Sequence, residues 1–117
     1  MSNAIPGNHL RHHRKKAGLS QRELGRILGY GNEGTISRHE ESRSIPPLLS
    51  GLGYEVVFGA SISSLFPGLR KSVEQAIEQR LRELEHELQD KARNGVRASL
   101  IAQKLAWLDE RRALLEE

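Results

Sequence analysis

No part of this chain leaves fewer structural options open than Leu19-Ser20-Gln21-Arg22-Glu23-Leu24-Gly25-Arg26-Ile27-Leu28-Gly29-Tyr30-Gly31-Asn32-Glu33-Gly34-Thr35-Ile36-Ser37-Arg38-His39-Glu40. Ser20 is a good N-cap, and Glu23 stands three residues on, the spacing of a capping box. Leu24, Ile27 and Leu28 then form a helical apolar stripe. Gly29 stands where a helix C-terminus favours a left-handed residue without Cβ. A second helix starts at once, capped by Asn32, with Ile36 and His39 one turn apart on its inner side. Two helices joined by so short a corner cross steeply, and such a pair presents its second helix to a DNA major groove.

Composition narrows the class. A chain of 117 residues holds one small domain and an appendage. Hydrophobic residues make up 37% and aromatic residues 4%, so the core is aliphatic and modest. Without cysteine there is no disulfide framework and no thiolate zinc site. No apolar run approaches the ~18 residues that span a bilayer. The start Met1-Ser2-Asn3-Ala4-Ile5-Pro6 also lacks the regions of a signal peptide. A cytoplasmic location without a membrane partner is therefore expected. The net charge of +3 is unevenly spread. Residues 1–66 hold eight Lys/Arg and five acids, whereas 67–117 hold ten of each. The whole positive excess thus sits in the half with the two-helix pattern, as a polyanion partner requires.

Along the chain, residues 1–8 read as a flexible N-terminus broken by Pro6-Gly7, with Asn8 placed to cap a helix from His9 to about Lys16. Leu10 and Ala17 are its expected inward residues, and Gly18 ends it. After the central pair, Pro46-Pro47 open a further helix in which Leu48, Leu49, Leu52, Val56 and Val57 recur at helical spacing, with Gly59 placed to end it. Ile62-Ser63-Ser64-Leu65-Phe66 forms a fifth, very short helix stopped by Pro67-Gly68. From residue 69 the texture changes. Val73, Ile77, Leu81, Leu84 and Leu88 mark one long amphipathic helix over about 70–93, broken by Asn94-Gly95. Val96, Leu100, Ile101, Leu105, Leu108 and Leu115 mark another. Neither stripe can stay wet, so the two form a hairpin, a dimer, or both.

The central residues resemble the lambda-repressor-like, or Cro-type (XRE), helix-turn-helix family. The resemblance rests on Leu10, Arg14, Gly18-Leu19-Ser20-Gln21, Glu23-Leu24, Leu28-Gly29, Thr35-Ile36-Ser37-Arg38 and Glu40. Glu55-Val56-Val57-Phe58-Gly59 and Leu65-Phe66-Pro67-Gly68 resemble the closing helices of some members. It implies an all-α chain: a five-helix lambda-repressor-like domain over 9–68, then a C-terminal amphipathic helical extension over 69–117. It also implies DNA-binding residues. Ser20 and Gln21, at the head of the second helix, meet a phosphate or serve only as caps. Asn32, Glu33, Gly34 and Thr35 lead the recognition helix, followed on its exposed side by Ser37 and Arg38. Arg38 is the best candidate to take guanine O6 and N7 together. Arg43, just past the helix, suits a phosphate contact better than a base. Glu33 either caps its helix or accepts from cytosine N4. The corner Tyr30–Gly34 is one residue longer than the family's commonest form. Arg14 and Glu40 correspond to a scaffold pair, and His39 takes an inward position.

The expected function is that of a sequence-specific DNA-binding transcriptional regulator, a repressor acting as a homodimer on double-stranded DNA. Residues 69–117 are the candidate dimer device, and Trp107, off the main stripe, is a candidate interface residue. The alternative is an antitoxin or adaptor whose C-terminal helices bind a partner protein. No nucleophile and base are arranged for catalysis, and His9, His12 and His13 have no nearby carboxylate to make a metal site. No enzyme activity, metal or cofactor is expected.

Overall fold

The computed structural model describes residues 4–95 and 98–115. Among these residues the chain forms seven helices and no strand: α1 (Leu10–Lys16), α2 (Gln21–Leu28), α3 (Gly34–Glu40), α4 (Leu48–Phe58), α5 (Ile62–Leu65), α6 (Pro67–Arg93) and α7 (Ala98–Leu115). They divide into two units that part within α6, between Val73 and Glu74.

The first unit encloses a small core of Leu10, Leu24, Ile36, Tyr54, Leu65 and Phe66. Helix boundaries follow local chemistry. The Ser20 hydroxyl accepts the Glu23 N–H at 3.0 Å, and the Glu23 carboxylate accepts the Ser20 N–H at 2.9 Å, which completes the capping box. The Ser20 N–H, and then the Ser20 hydroxyl beside it, hold the Glu23 carboxyl below the usual range. Gly29 and Gly59 end α2 and α4 in the left-handed region, with φ of 88° and 62°. Gly25 serves packing instead: a Cβ there would stand 3.1 Å from the Asn32 carbonyl oxygen, so its absence lets the corner lie close against α2.

Several inward assignments change. Ala17 and Ile27 are exposed, and the N-terminal cap of α1 is His9, although Asn8 still accepts the Leu10 N–H at 3.0 Å. Residues 4–8 are not a free tail. The Asn8 amide donates to the His39 carbonyl at 2.8 Å and to Ser42 Oγ at 3.3 Å, and Ser42 donates to the Pro6 carbonyl at 3.0 Å. Ser42 sits at a φ of 57°, a conformation few residues with a Cβ adopt. Its hydroxyl bonds hold it there. Pro67 opens α6 rather than ending α5, since a proline at the first helical position loses no intrahelical bond.

The largest difference lies in α4. Leu48, Leu49, Leu52 and Val56 point outward, while Gly51 and Tyr54 are buried and Val57 and Phe58 partly so. The side with the aromatic rings faces the core.

The second unit pairs the later part of α6 with α7 in antiparallel fashion. Leu88, Ile101 and Leu108 are buried, flanked by Leu81 and Leu105. Arg111 bonds Glu78, and Arg112 bonds Glu85. The Arg111 hydrogen bond lowers the Glu78 pKa, and the same bond raises that of Arg111. Leu100 and Trp107 stay exposed, while Val96 lies outside the described residues.

Candidate nucleic-acid interface

The exposed side of α3 begins at the corner. Asn32 and Glu33 are exposed, and the Asn32 side-chain oxygen accepts the Gly34 N–H at 2.9 Å. The N-cap by backbone position is Glu33, one residue later than expected, and its carboxylate caps nothing. The cause is reach: the short Asn32 side chain loops back to the first helical N–H, as asparagine does in Asx turns. Glu33 thus makes no capping hydrogen bond, and what it offers the helix is its negative charge at the N-terminal end.

Ile36 and His39 turn inward from α3, leaving Thr35, Ser37 and Arg38 toward the other side. Arg38 donates to Thr35 Oγ1 at 3.2 Å, one turn back. A Cβ on Gly34 would stand 3.1 Å from Asn32 Oδ1, so the glycine leaves room for the Asn32 side chain to fold back onto the start of the helix. Ser37 donates to Glu41 at 3.2 Å, and Arg43 pairs with Glu41 at 2.8 Å with both side chains more than half exposed. This gathers Gly34, Thr35, Ser37, Arg38 and Arg43 around one short helix and its C-terminal end. Glu33 and Glu41 temper the local positive charge.

At the head of α2 the two expected phosphate residues part company. The Ser20 hydroxyl is engaged in the capping box and remains exposed. Gln21 instead donates its side-chain amide to Glu40 Oε1 at 3.1 Å. Glu40 also receives Arg14 Nε at 2.6 Å and a second Arg14 nitrogen at 3.1 Å, and Arg14 donates once more to the Leu19 carbonyl at 2.9 Å. The side chains of Arg14 and Glu40 are only 10% and 2% exposed. The carboxylate accepts the guanidinium in a fork, the strongest geometry open to the pair, and it raises the Arg14 pKa. Arg14, Gln21 and Glu40 therefore form one bonded group that ties α1 and α2 to the end of α3.

His39 anchors α3 from behind. Its Nδ1 lies 2.8 Å from the Tyr54 hydroxyl, and both rings are buried. Burial, and then the charge of Arg38, lowers the His39 pKa, while burial raises that of Tyr54. Tyr30 packs edge-on against His39 and bonds Ser50 of α4. The long corner is therefore fastened through Tyr30, whose role had no signal in the sequence beyond being aromatic.

Among the described residues no group of histidine and carboxylate side chains has the makings of a metal site, and no helix is long and apolar enough to cross a membrane. Comparison of the chain with protein-family models, curated proteins and solved structures found no match.

Proposed function

We propose that the chain is a sequence-specific DNA-binding transcriptional regulator, a repressor that occupies its operator as a homodimer. In this reading residues 9–68 form a lambda-repressor-like five-helix domain, and α3 is its recognition helix. The observation that carries the reading is the exposed side of α3, where Thr35, Ser37 and Arg38 project from a helix locked from behind by Ile36, His39 and the Arg14–Glu40 pair. A rigid mount matters because base recognition needs side chains held in register. The uneven charge supports it too, since the excess of +3 lies within residues 1–66.

Arg38 takes a guanine edge, with Thr35, Ser37 and Asn32 beside it. Glu33, which makes no capping hydrogen bond, faces the groove as an acceptor for cytosine N4 and discourages other bases by repulsion. The first-turn amides of α2 and the Ser20 hydroxyl meet a phosphate, and Arg43 a further one. Gln21 contributes by holding Glu40, and its own amide joins the scaffold. A dimer places two such helices in successive major grooves ~34 Å apart and joins two weak readings into a useful affinity.

The test is selection of binding sites from random DNA, followed by a salt titration of the selected site. Arg38→Ala should lose about 1–3 kcal/mol of discrimination at one base position, whereas Arg43→Ala should weaken all sequences alike and flatten the salt slope. A log K that does not change with log[salt] refutes nucleic-acid binding.

A second reading has one specific support. Leu100, Trp107 and Leu114 are 59%, 49% and 70% exposed and stand seven residues apart on α7, outside the hairpin's own seam. Such a stripe suits a partner protein, as in an antitoxin or adaptor. Co-purification of a second chain that Trp107→Ala releases would favour it.

A further inference from the structure

Helix α4, Leu48-Leu49-Ser50-Gly51-Leu52-Gly53-Tyr54-Glu55-Val56-Val57-Phe58, is apolar around most of its circumference. Its one charged residue, Glu55, accepts the Ile62 N–H at 3.2 Å. A helix without a polar face belongs in an interior, yet only one side of α4 is covered. Leu48, Leu49, Leu52 and Val56 are 73%, 84%, 46% and 83% exposed. At about 100° per residue they fall within about 100° of arc. Through Leu48 the patch runs on into an apolar groove of about 330 Å³, whose rim carries the exposed Ile45 and Val73 and whose wall includes Phe66.

We propose that this face is the seam at which two copies of the chain associate, α4 against α4; the inference rests on the homodimer reading above and moves the contact from residues 69–117 to residues 45–73. Three observations select a second copy as the occupant. The exposed apolar surface of these six residues is on the order of 600 Å², at the upper end of what a monomer ordinarily leaves wet and approaching the ~800 Å² per partner of a standard interface. The exposed arc of α4 carries no charge, and Arg70 is the one charged residue that lines the adjoining groove, so the face offers a charged partner little to recognise. The pattern is also self-complementary: in an antiparallel α4 pair whose two-fold axis passes between Leu52 and Gly53, Leu49 of one copy meets Val56 of the other, and the same contact recurs by symmetry. The hairpin has less need of a partner, because α6 and α7 bury Leu88, Ile101 and Leu108 against each other.

The experiment is sedimentation equilibrium of the full chain over on the order of 1–100 µM, with far-UV circular dichroism as a check on folding. The wild-type chain should be dimeric. The double variant Leu49→Glu/Val56→Glu should be folded and monomeric, its dissociation constant raised at least ~100-fold by two desolvated carboxylates. Leu49→Ser/Val56→Ser, which adds no charge, should weaken the dimer in the same direction. Leu100→Ser/Trp107→Ser should leave it intact. A wild-type chain that stays monomeric, an α4 variant that stays dimeric, or a dimer lost only on changing α7 overturns the proposal. Binding to the selected DNA site, measured on the same samples, separates the two readings. A dimer that dissociates on changing α4 but binds no DNA keeps the seam and refutes the regulator, whereas a monomeric wild type that binds DNA does the reverse.

Discussion

Replacing Glu40 by glutamine removes one charge and few atoms, so its effect isolates what the Arg14–Glu40 pair contributes. In the native chain the guanidinium makes three hydrogen bonds, two of them to Glu40, and both side chains are almost fully buried. In Glu40→Gln the Arg14 cation stays buried with only the Leu19 carbonyl and a neutral amide as partners. Breaking one side of a buried pair costs ~3–5 kcal/mol, against ~1 or less at an exposed site. A domain of this size loses about 4–8 °C of Tm per kcal/mol, so the midpoint should fall by at least ~12 °C. Far-UV circular dichroism during urea unfolding reads the loss, while fluorescence of Trp107, the chain's one tryptophan, follows the hairpin separately. The double variant Arg14→Met/Glu40→Leu should recover much of the stability, because apolar replacements of a buried pair are often neutral or better. A loss below ~1 kcal/mol in Glu40→Gln would mean that water reaches the pair and would refute the burial argument.

Two further outcomes follow from the contacts behind α3. His39 has a folded pKa below its ordinary ~6.5. The unfolded chain therefore binds more protons as pH falls through ~6.5, and stability should drop there, by at most ~1.4 kcal/mol per pH unit for one group. His39→Gln should lose this dependence between about pH 7 and 5.5, and an unchanged profile would assign it to other groups. Asn8→Ala removes one acceptor and two donated bonds and should cost ~2 kcal/mol in urea unfolding. Asn8→Asp, which keeps the acceptor for the Leu10 N–H but not the donors, should recover only part of that. Full recovery would show that the ties to His39 and Ser42 contribute nothing.

Local chemistry was legible in the order of residues alone. The Ser20/Glu23 capping box, the left-handed Gly29 and Gly59, and the inward Ile36 and His39 depend on groups within a turn or so of one another, so spacing suffices to read them. Wherever an element lacked contrast between its faces, packing in three dimensions made the choice. Helix α4 is apolar nearly all round, so its periodicity marked Leu48, Leu49, Leu52 and Val56 as well as any other set. The bond from Tyr54 to His39 and the packing of Phe58 against His13 of α1 turned the opposite side to the core. Gln21 was as free to meet a phosphate as to bond Glu40 until folding brought α2 beside the end of α3. Asn8 and Ser42, 34 residues apart, meet only in the folded chain. Short-range caps are legible because the chain carries both partners side by side; the facing of an apolar helix and the pairing of distant polar groups are settled by which alternative leaves the fewest buried groups unsatisfied.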